Sequence, residues 1–278
     1  MSKDITFVTH LRYDHEDRVN NLQTVLNYYS TNFPESQFIF VEDDVEHNTE
    51  FDKIKWPKGR TAFFIIKNNS YYYRTRALNF GIKKAKTPIV VSLDTDCIVP
   101  VSSFNKCVSA LLDEATIAWP YNGFFIDTSH NLHTGFIENN YNYDFLFNLL
   151  PDIEKLQLSH QYGDFSVRCT NTIYEGVGGI VMFNRDRFLE IGGYNENFIC
   201  WGAEDNELFH RCNILEHKKY RDTDLNSICF HLFHRNAVRN QHPFYQSNFD
   251  EANKVERMSK EELVKYIKTW NHLSDAQG

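Results

Sequence analysis

The sequence predicts an α/β fold, a mostly parallel central sheet flanked by helices and ending in a helical C-terminal tail. Three observations lead there. Short apolar and β-branched runs recur at 5–8 (ITFV), 37–42 (QFIFVE), 62–66 (AFFII) and 88–93 (PIVVSL), each the length of a buried strand. Helical patterns lie between them, and alternation of this kind implies parallel strands covered on both faces. Near the end, Ser259 followed three residues later by Glu262 forms a capping-box signature that opens a last amphipathic helix, SKEELVKYIKTW.

In chain order, residues 16–29 place Val19, Leu22, Val25, Leu26 and Tyr29 on one stripe, which predicts a helix. Residues 70–86 predict a second helix, starting at a capping Ser70 and stopping before Pro88. The segment 121–176 is rich in Asn, Tyr, Phe and His with weak periodicity, and reads as a long excursion with short helices that carries substrate contacts. Regular structure is expected again at GGIVMF (178–183), a short helix at 184–191, a Gly192-Gly193 turn, a helix over 203–213 and a strand over 227–233. With no repeat and no linker, the chain reads as one domain over 1–240 with a helical extension over 241–278.

Composition narrows the function. A chain of 278 residues with 42% hydrophobic side chains can bury a full core, which excludes collagen-like, low-complexity and small disulfide-framework proteins. With 29 basic against 37 acidic residues, a net charge of −8 and no long Lys/Arg block, it lacks the basic face that nucleic-acid binding needs. The start MSKDITFVTH has no signal region, and no apolar run is long enough to span a bilayer, so a cytoplasmic protein is expected. Six cysteines without a CxxC pair read as reduced, mostly buried thiols.

Three polar clusters carry the chemistry. Asp94-Thr95-Asp96 follows the strand PIVVSL, and residues i and i+2 of an extended chain face the same side, at the strand end where open α/β sheets bind ligands. Two hard oxygen donors there suit Mg²⁺ or Mn²⁺ against a diphosphate, although solvated loop aspartates give the same pattern. WGAEDNELFHRC (201–212) puts Glu204, Asp205 and Glu207 in the first turn of a helix. Helix-dipole capping accounts for acidic residues there, and a carboxylate at a loop–helix junction is also well placed as a general base. In FHLFHRN (230–236), His231 and His234 follow a short strand, as structural histidines or as imidazole ligands beside a cationic Arg235.

These segments resemble the metal-dependent GT-A glycosyltransferases, whose fold is a Rossmann-like α/β sandwich. The likeness is to the group with the β-1,4-galactosyltransferases, bacterial chondroitin polymerase modules and polypeptide N-acetylgalactosaminyltransferases. YYRTRALNFGIKKAKTPIVVSLDTDCIVP is similar to that group's Asn-Arg, Leu-Asn-x-Gly and Asp-x-Asp-x-Ile-Pro pattern. VGGIVMFNRDRFLEIGGYNENFICWGAEDNELFHR resembles its Gly-Gly strand and Trp-Gly-x-Glu-Asp-Asp helix start. The resemblance covers about residues 5–240 and implies a nucleotide-sugar half over 1–120 and an acceptor half over 121–240.

Residue by residue, it implies that Asp96 binds the metal and that Asp94 contacts metal or ribose. His234 would complete the metal site, with His231 at a second-ligand position. Asp205 would be the catalytic base, and Glu204 would hold sugar hydroxyls. Trp201 would be an apolar platform for a sugar face, and Gly178 and Gly179 would let backbone approach the donor. Thr9, Arg12, Glu42 and Asp43 stand at uridine-pocket positions, with Arg74, Arg76 and Asn79 lining the nucleotide. The pattern departs at Ile199-Cys200-Trp201-Gly202-Ala203, where one aromatic is missing, and at Asn206, which replaces a third carboxylate.

The implied activity is inverting transfer of a hexose or N-acetylhexosamine from a UDP-sugar, with Mn²⁺ or Mg²⁺, to a glycan or lipid-linked acceptor in bacterial surface polysaccharide synthesis. Two other functions fit parts of the pattern. A sugar-nucleotide pyrophosphorylase would carry a Gly-rich basic loop where THLRYDHED stands, and a non-catalytic nucleotide- or carbohydrate-binding module would lack Asp96 or Asp205. In the last helix, Lys260, Lys265 and Lys268 beside Leu263, Val264, Tyr266 and Ile267 leave open a packed tail or peripheral membrane association.

Overall fold

Ile5–Leu11 (β1) and Gln37–Asp44 (β2) run parallel on either side of the crossover helix Glu16–Asn32 (α1), as the alternating pattern requires. The computed structural model describes residues 2–68, 71–152, 161–170, 176–235, 242–270 and 272. Thr61–Lys67 (β3), Arg74–Lys84 (α2) and Ile89–Leu93 (β4) follow. Every residue of β4 is buried, which is why IVVSL is a continuous apolar run and not an alternating one. Helix α2 starts at Arg74, later than its pattern predicts, and Ser70 lies outside the described residues. Its entry is tied tertiarily instead: the buried Asp43 carboxylate accepts from the Tyr73 backbone N–H at 2.7 Å.

Cys97–Ile98 (β5), Val101–Asp113 (α3) and Ile117–Trp119 (β6) lead into the excursion. It is more regular than expected. Phe125–Thr128 (β7), His130–Glu138 (α4), Tyr143–Asn148 (α5), Gln161–Tyr162 (β8) and Phe165–Cys169 (β9) build most of a second sheet. Its strands have two to five residues, too few for a period-2 pattern to stand out, and apart from the local β8–β9 pair they meet across long stretches of chain.

The return consists of Ile180–Asn184 (β10), Arg185–Glu190 (α6), Glu204–Ile214 (α7), Lys219–Arg221 (β11) and Cys229–His231 (β12). Among the described residues the main sheet has the order β11-β6-β10-β4-β1-β2-β3, parallel except for β10, and the second has the order β5-β12-β7-β9-β8. Pairing of β12 with both β5 and β7 sets His231 opposite Cys97 and Asp127. That register assembles much of the site described below.

Tyr245–Glu256 (α8) forms in the stretch read only as polar, and Lys260–Ile267 (α9) follows. The capping box is present, with Ser259 accepting from the Glu262 N–H and the Glu262 carboxylate from the Ser259 N–H. The apolar face of α9 packs inward. Leu263 and Ile267 join Val255 and Trp270 in a cluster against Ile214 and Leu215, so this face is not presented to a membrane. No described helix is long and apolar enough to cross a bilayer. The cluster braces α7, where the buried Arg211 pairs with Glu207 at 2.9 Å, donates to the Ile191 carbonyl and lies over the Trp270 ring. All six cysteines are free thiols, four of them buried.

Candidate active site

A cleft of about 840 Å³ opens at the carboxyl ends of β1 and β4, the ligand-binding edge of such sheets. It is lined by His10, Arg12, Arg18 and Arg74 from the first half of the chain and by Arg168, Gly178, Gly179, Trp201, Asp205 and His231 from the second.

Asp94 and Asp96 both face it but do different work. Asp96 is buried against His231 Nε2 and His234 Nε2, each 3.4 Å away, and accepts from Arg18 at 2.5 Å. Ligand atoms of Asp96, His231 and His234 lie within 4.8 Å of one another, and all three residues are buried. Burial opposes the Asp96 charge, yet His231, Arg18 and His234 outweigh it and hold the carboxyl well below the usual range. His231 turns its other nitrogen to Asp127 at 2.8 Å, and Arg168 in turn holds Asp127 at 2.5 Å. Burial pulls the His231 pKa down, but Asp96 and Asp127 together raise it. A carboxylate behind an imidazole fixes its ring and tautomer, as around metal-ligating histidines.

Asp94 is bound by Arg74 at 2.9 Å, and Arg74 also approaches Glu204 at 3.5 Å and Asp205 at 3.4 Å. One buried guanidinium therefore joins the acidic pair after β4 to the first turn of α7. Glu204 is buried and accepts from the Gly202 N–H at 2.9 Å, so it shapes the loop, whereas Asp205 keeps 20% of its side chain open to the cleft. Burial pushes the Asp205 carboxyl up to about 7, against the pull of Arg74 and with help from Glu204 and Asp94. Gly178 packs directly against it: a Cβ there would meet the Asp205 carboxylate and push it out of its present place. Gly179 has φ 79° and passes its carbonyl to the Asp94 N–H. Trp201 is 41% exposed at the cleft, with its ring stacked on Tyr245.

Several expected nucleotide contacts lie elsewhere. Thr9 lines a small apolar cavity with Leu22, Val25 and Phe38, because alternation along β1 turns it towards α1 and gives the cleft to His10. Glu42 is fully buried and anchors the next loop through His47 at 2.6 Å and the Asn48 N–H at 2.8 Å. Asn79 clamps Tyr194 and Glu196, and Arg76 lies over the Tyr73 ring outside the cleft lining. Asp43 holds Tyr73 and interacts with the Asn68 side chain, while Arg12 does line the cleft.

The cleft also contains side chains that the sequence reading passed over: His10, Arg18, Tyr72, Arg168 and His242, with Asp127 behind His231. His10 is 3.8 Å from Asp94, and burial lowers its pKa to about 3, so it stays neutral. A polar residue in the alternating β1 pattern was the available signal for His10. Nothing local marks Asp127.

A sequence profile described as glycosyl transferase family 2 matches residues 18–188, more than half of the chain. The chain belongs to this glycosyltransferase family. A second profile, described as the N-terminal domain of galactosyltransferase, matches residues 163–235, the segment carrying Gly178, Asp205 and both histidines. A probable glycosyltransferase of Sulfolobus acidocaldarius is 24% identical over 172 residues, covering 59% of this chain. That match spans about a third of the relative's length, 32%.

Among solved structures, GalNAc-T7 with UDP, GalNAc and Mn²⁺ matches over 90% of this chain and 47% of its own, at 15% identity and TM-score 0.54. This likeness shows the GT-A fold. The catalytic domain of Drosophila β1,4-galactosyltransferase 7 in complex with xylobiose also matches, over 92% and 82% of the two chains, at 13% identity and TM-score 0.48.

The chain carries backbone strain beside Asp205. Ala203 immediately precedes α7 at φ 65°, and Cys200 has φ 64°. A left-handed Ala costs roughly 1–2 kcal/mol that glycine avoids, offset in part by the greater freedom of glycine when unfolded. Ala203→Gly is therefore expected to raise stability by about 1 kcal/mol in urea denaturation; an unchanged or lower midpoint would contradict the strain.

Proposed function

We propose that this glycosyltransferase is an inverting, metal-dependent enzyme that moves a hexose or N-acetylhexosamine from a UDP-sugar to a glycan hydroxyl. The observation that carries this reading is one cleft lined by both the Asp96–His231 pair, with His234 behind it, and the Asp205 carboxylate.

The residues fit a divalent cation. Among the described residues His234 Nε2 is buried without a hydrogen-bond partner and faces Asp96, and two imidazoles with one carboxylate form a donor set for first-row divalent cations, of which Mn²⁺ is the most weakly held. Asp96, His231 and His234 would hold it, with Asp94 next to them. When bound, such a cation supplies Lewis-acid stabilisation of charge on a departing diphosphate.

The chain's own groups account for the rest. Asp205 accepts the proton of the attacking acceptor hydroxyl at Oδ2 or Oδ1. Its raised pKa makes it a stronger base than an ordinary carboxylate and brings its titration close to neutral pH. Arg74 fixes its orientation and keeps three carboxylates together. Trp201 offers an aromatic face to a sugar, and Gly178 and Gly179 keep the floor clear. A single displacement inverts the anomeric carbon, so an α-linked donor gives a β product. The setting we infer is bacterial cytoplasm, with a glycan or a lipid-linked oligosaccharide as acceptor in surface polysaccharide synthesis.

The test is UDP release from a panel of UDP-sugars with Mn²⁺ or EDTA, alongside UDP binding by calorimetry. Mn²⁺-dependent binding of UDP and turnover of one donor are expected. Absence of UDP binding in the presence of Mn²⁺ would overturn the reading.

A further inference from the structure

We propose that Arg18 is a placeholder for the divalent cation, neutralising Asp96 until the metal arrives and then moving onto the diphosphate of the donor. The proposal rests on the reading that Asp96, His231 and His234 hold a metal. Arg18 Nη1 lies 2.5 Å from Asp96 Oδ2, and that same oxygen is 3.4 Å from His234 Nε2, the buried imidazole nitrogen without a hydrogen-bond partner. A cationic side chain thus stands on the oxygen towards which the unpartnered ligand also points.

Physical reasons favour exchange over a permanent pair. Asp96 is 2% exposed, and a carboxylate buried that deeply needs a counter-charge in every state of the protein. If Asp96 holds a metal, that charge comes from the ion, and a guanidinium 2.5 Å from the same carboxylate would be displaced by contact and by repulsion. Arg18 has somewhere to go, because its side chain is 24% exposed and lines the cleft. It also has a tether: its Nε donates to Asp14 Oδ1 at 3.3 Å, and Asp14 lines the same cleft. Released from Asp96 but kept by Asp14, the planar fork faces the cleft beside the metal ligands, where it matches phosphate oxygens in a way lysine does not.

Competition lowers apparent metal affinity by the fraction of molecules in which Arg18 is displaced. Mn²⁺ alone is the first probe, with calorimetry and thermal shift as readouts and no turnover involved. Arg18→Gln is expected to bind Mn²⁺ about tenfold tighter than wild type, to gain more in melting temperature on saturation, and to bind UDP about tenfold more weakly at saturating Mn²⁺. In the wild-type chain, the Arg18 Nε–H resonance is expected to shift during Mg²⁺ titration before any nucleotide is added. This second measurement does not depend on a variant folding.

Arg18→Gln binding Mn²⁺ no tighter than wild type, or an Arg18 resonance unmoved by Mg²⁺, overturns the placeholder. Unchanged UDP affinity in Arg18→Gln overturns the transfer to phosphate. A wild type that binds no Mn²⁺ overturns the metal reading itself, which is a distinguishable result.

Discussion

Asp205→Asn is expected to lower sugar transfer by roughly 10² to 10⁴-fold while UDP binding with Mn²⁺ stays within about twofold of wild type. Asparagine preserves size and can still contact Arg74, but it cannot accept a proton. With the carboxyl pushed to about 7 by burial, the wild-type rate should rise about tenfold per pH unit below neutrality and level off above about pH 8. The sign for stability is opposite. A folded-state pKa above the unfolded value means that the native state binds the extra proton, so this group's contribution is complete in acid and is lost as pH rises towards 7. Asn has no such loss, so the stability difference, variant minus wild type, should grow between pH 4 and pH 8. UDP release assays and denaturation across that range check both signs. An Asn variant with more than about a tenth of wild-type turnover would remove Asp205 from the base role.

Asp96→Asn is expected to abolish detectable Mn²⁺ binding and to lower transfer at least about 10³-fold, since Lewis-acid stabilisation of several kcal/mol goes with it. It also leaves Arg18 and His231 without the carboxylate that both face, so a lower melting temperature is expected. His234→Ala separates the two effects. Among the described residues His234 Nε2 has no hydrogen bond to lose, although it lies 3.4 Å from Asp96 Oδ2, and its Nδ1 reaches the neighbouring Arg235 carbonyl. That variant should lose some melting temperature to the cavity a buried ring leaves, less than Asp96→Asn loses, and should lose Mn²⁺ affinity, as read by calorimetry. Loss of stability without loss of metal affinity would assign His234 a structural role.

The features legible before any coordinates are those encoded by near neighbours. The buried run IVVSL, the stripe on α1, the Ser259–Glu262 box and the acidic first turn of α7 each depend on residues within about four positions of one another. Hydrogen bonding and helical or strand periodicity act over that range. The same locality made the strand-terminal Asp94 and Asp96 and the helix-initial Asp205 visible as candidates.

Other parts of the site depend on contacts between distant segments. Thr9 and His10 are adjacent and both polar, and only the packing of β1 against α1 decides which of them faces the cleft. Glu42 and Asn79 match family positions, yet their partners His47 and Tyr194 engage them in holding loops. The second sheet rests on strands too short to announce themselves, and its register alone sets Asp127 behind His231. Arg18 meets Asp96 across 78 positions of chain.

By itself, the sequence determined the α/β alternation, the acidic pair at the end of β4, the helix with the acidic first turn and the capped last helix, because backbone geometry and capping are satisfied locally. Only the tertiary structure decided which polar side chain each strand turns to the cleft, which histidines meet Asp96 and which arginine covers it, because a buried charge selects its partner by proximity in space, and sheet register, not chain order, sets that proximity.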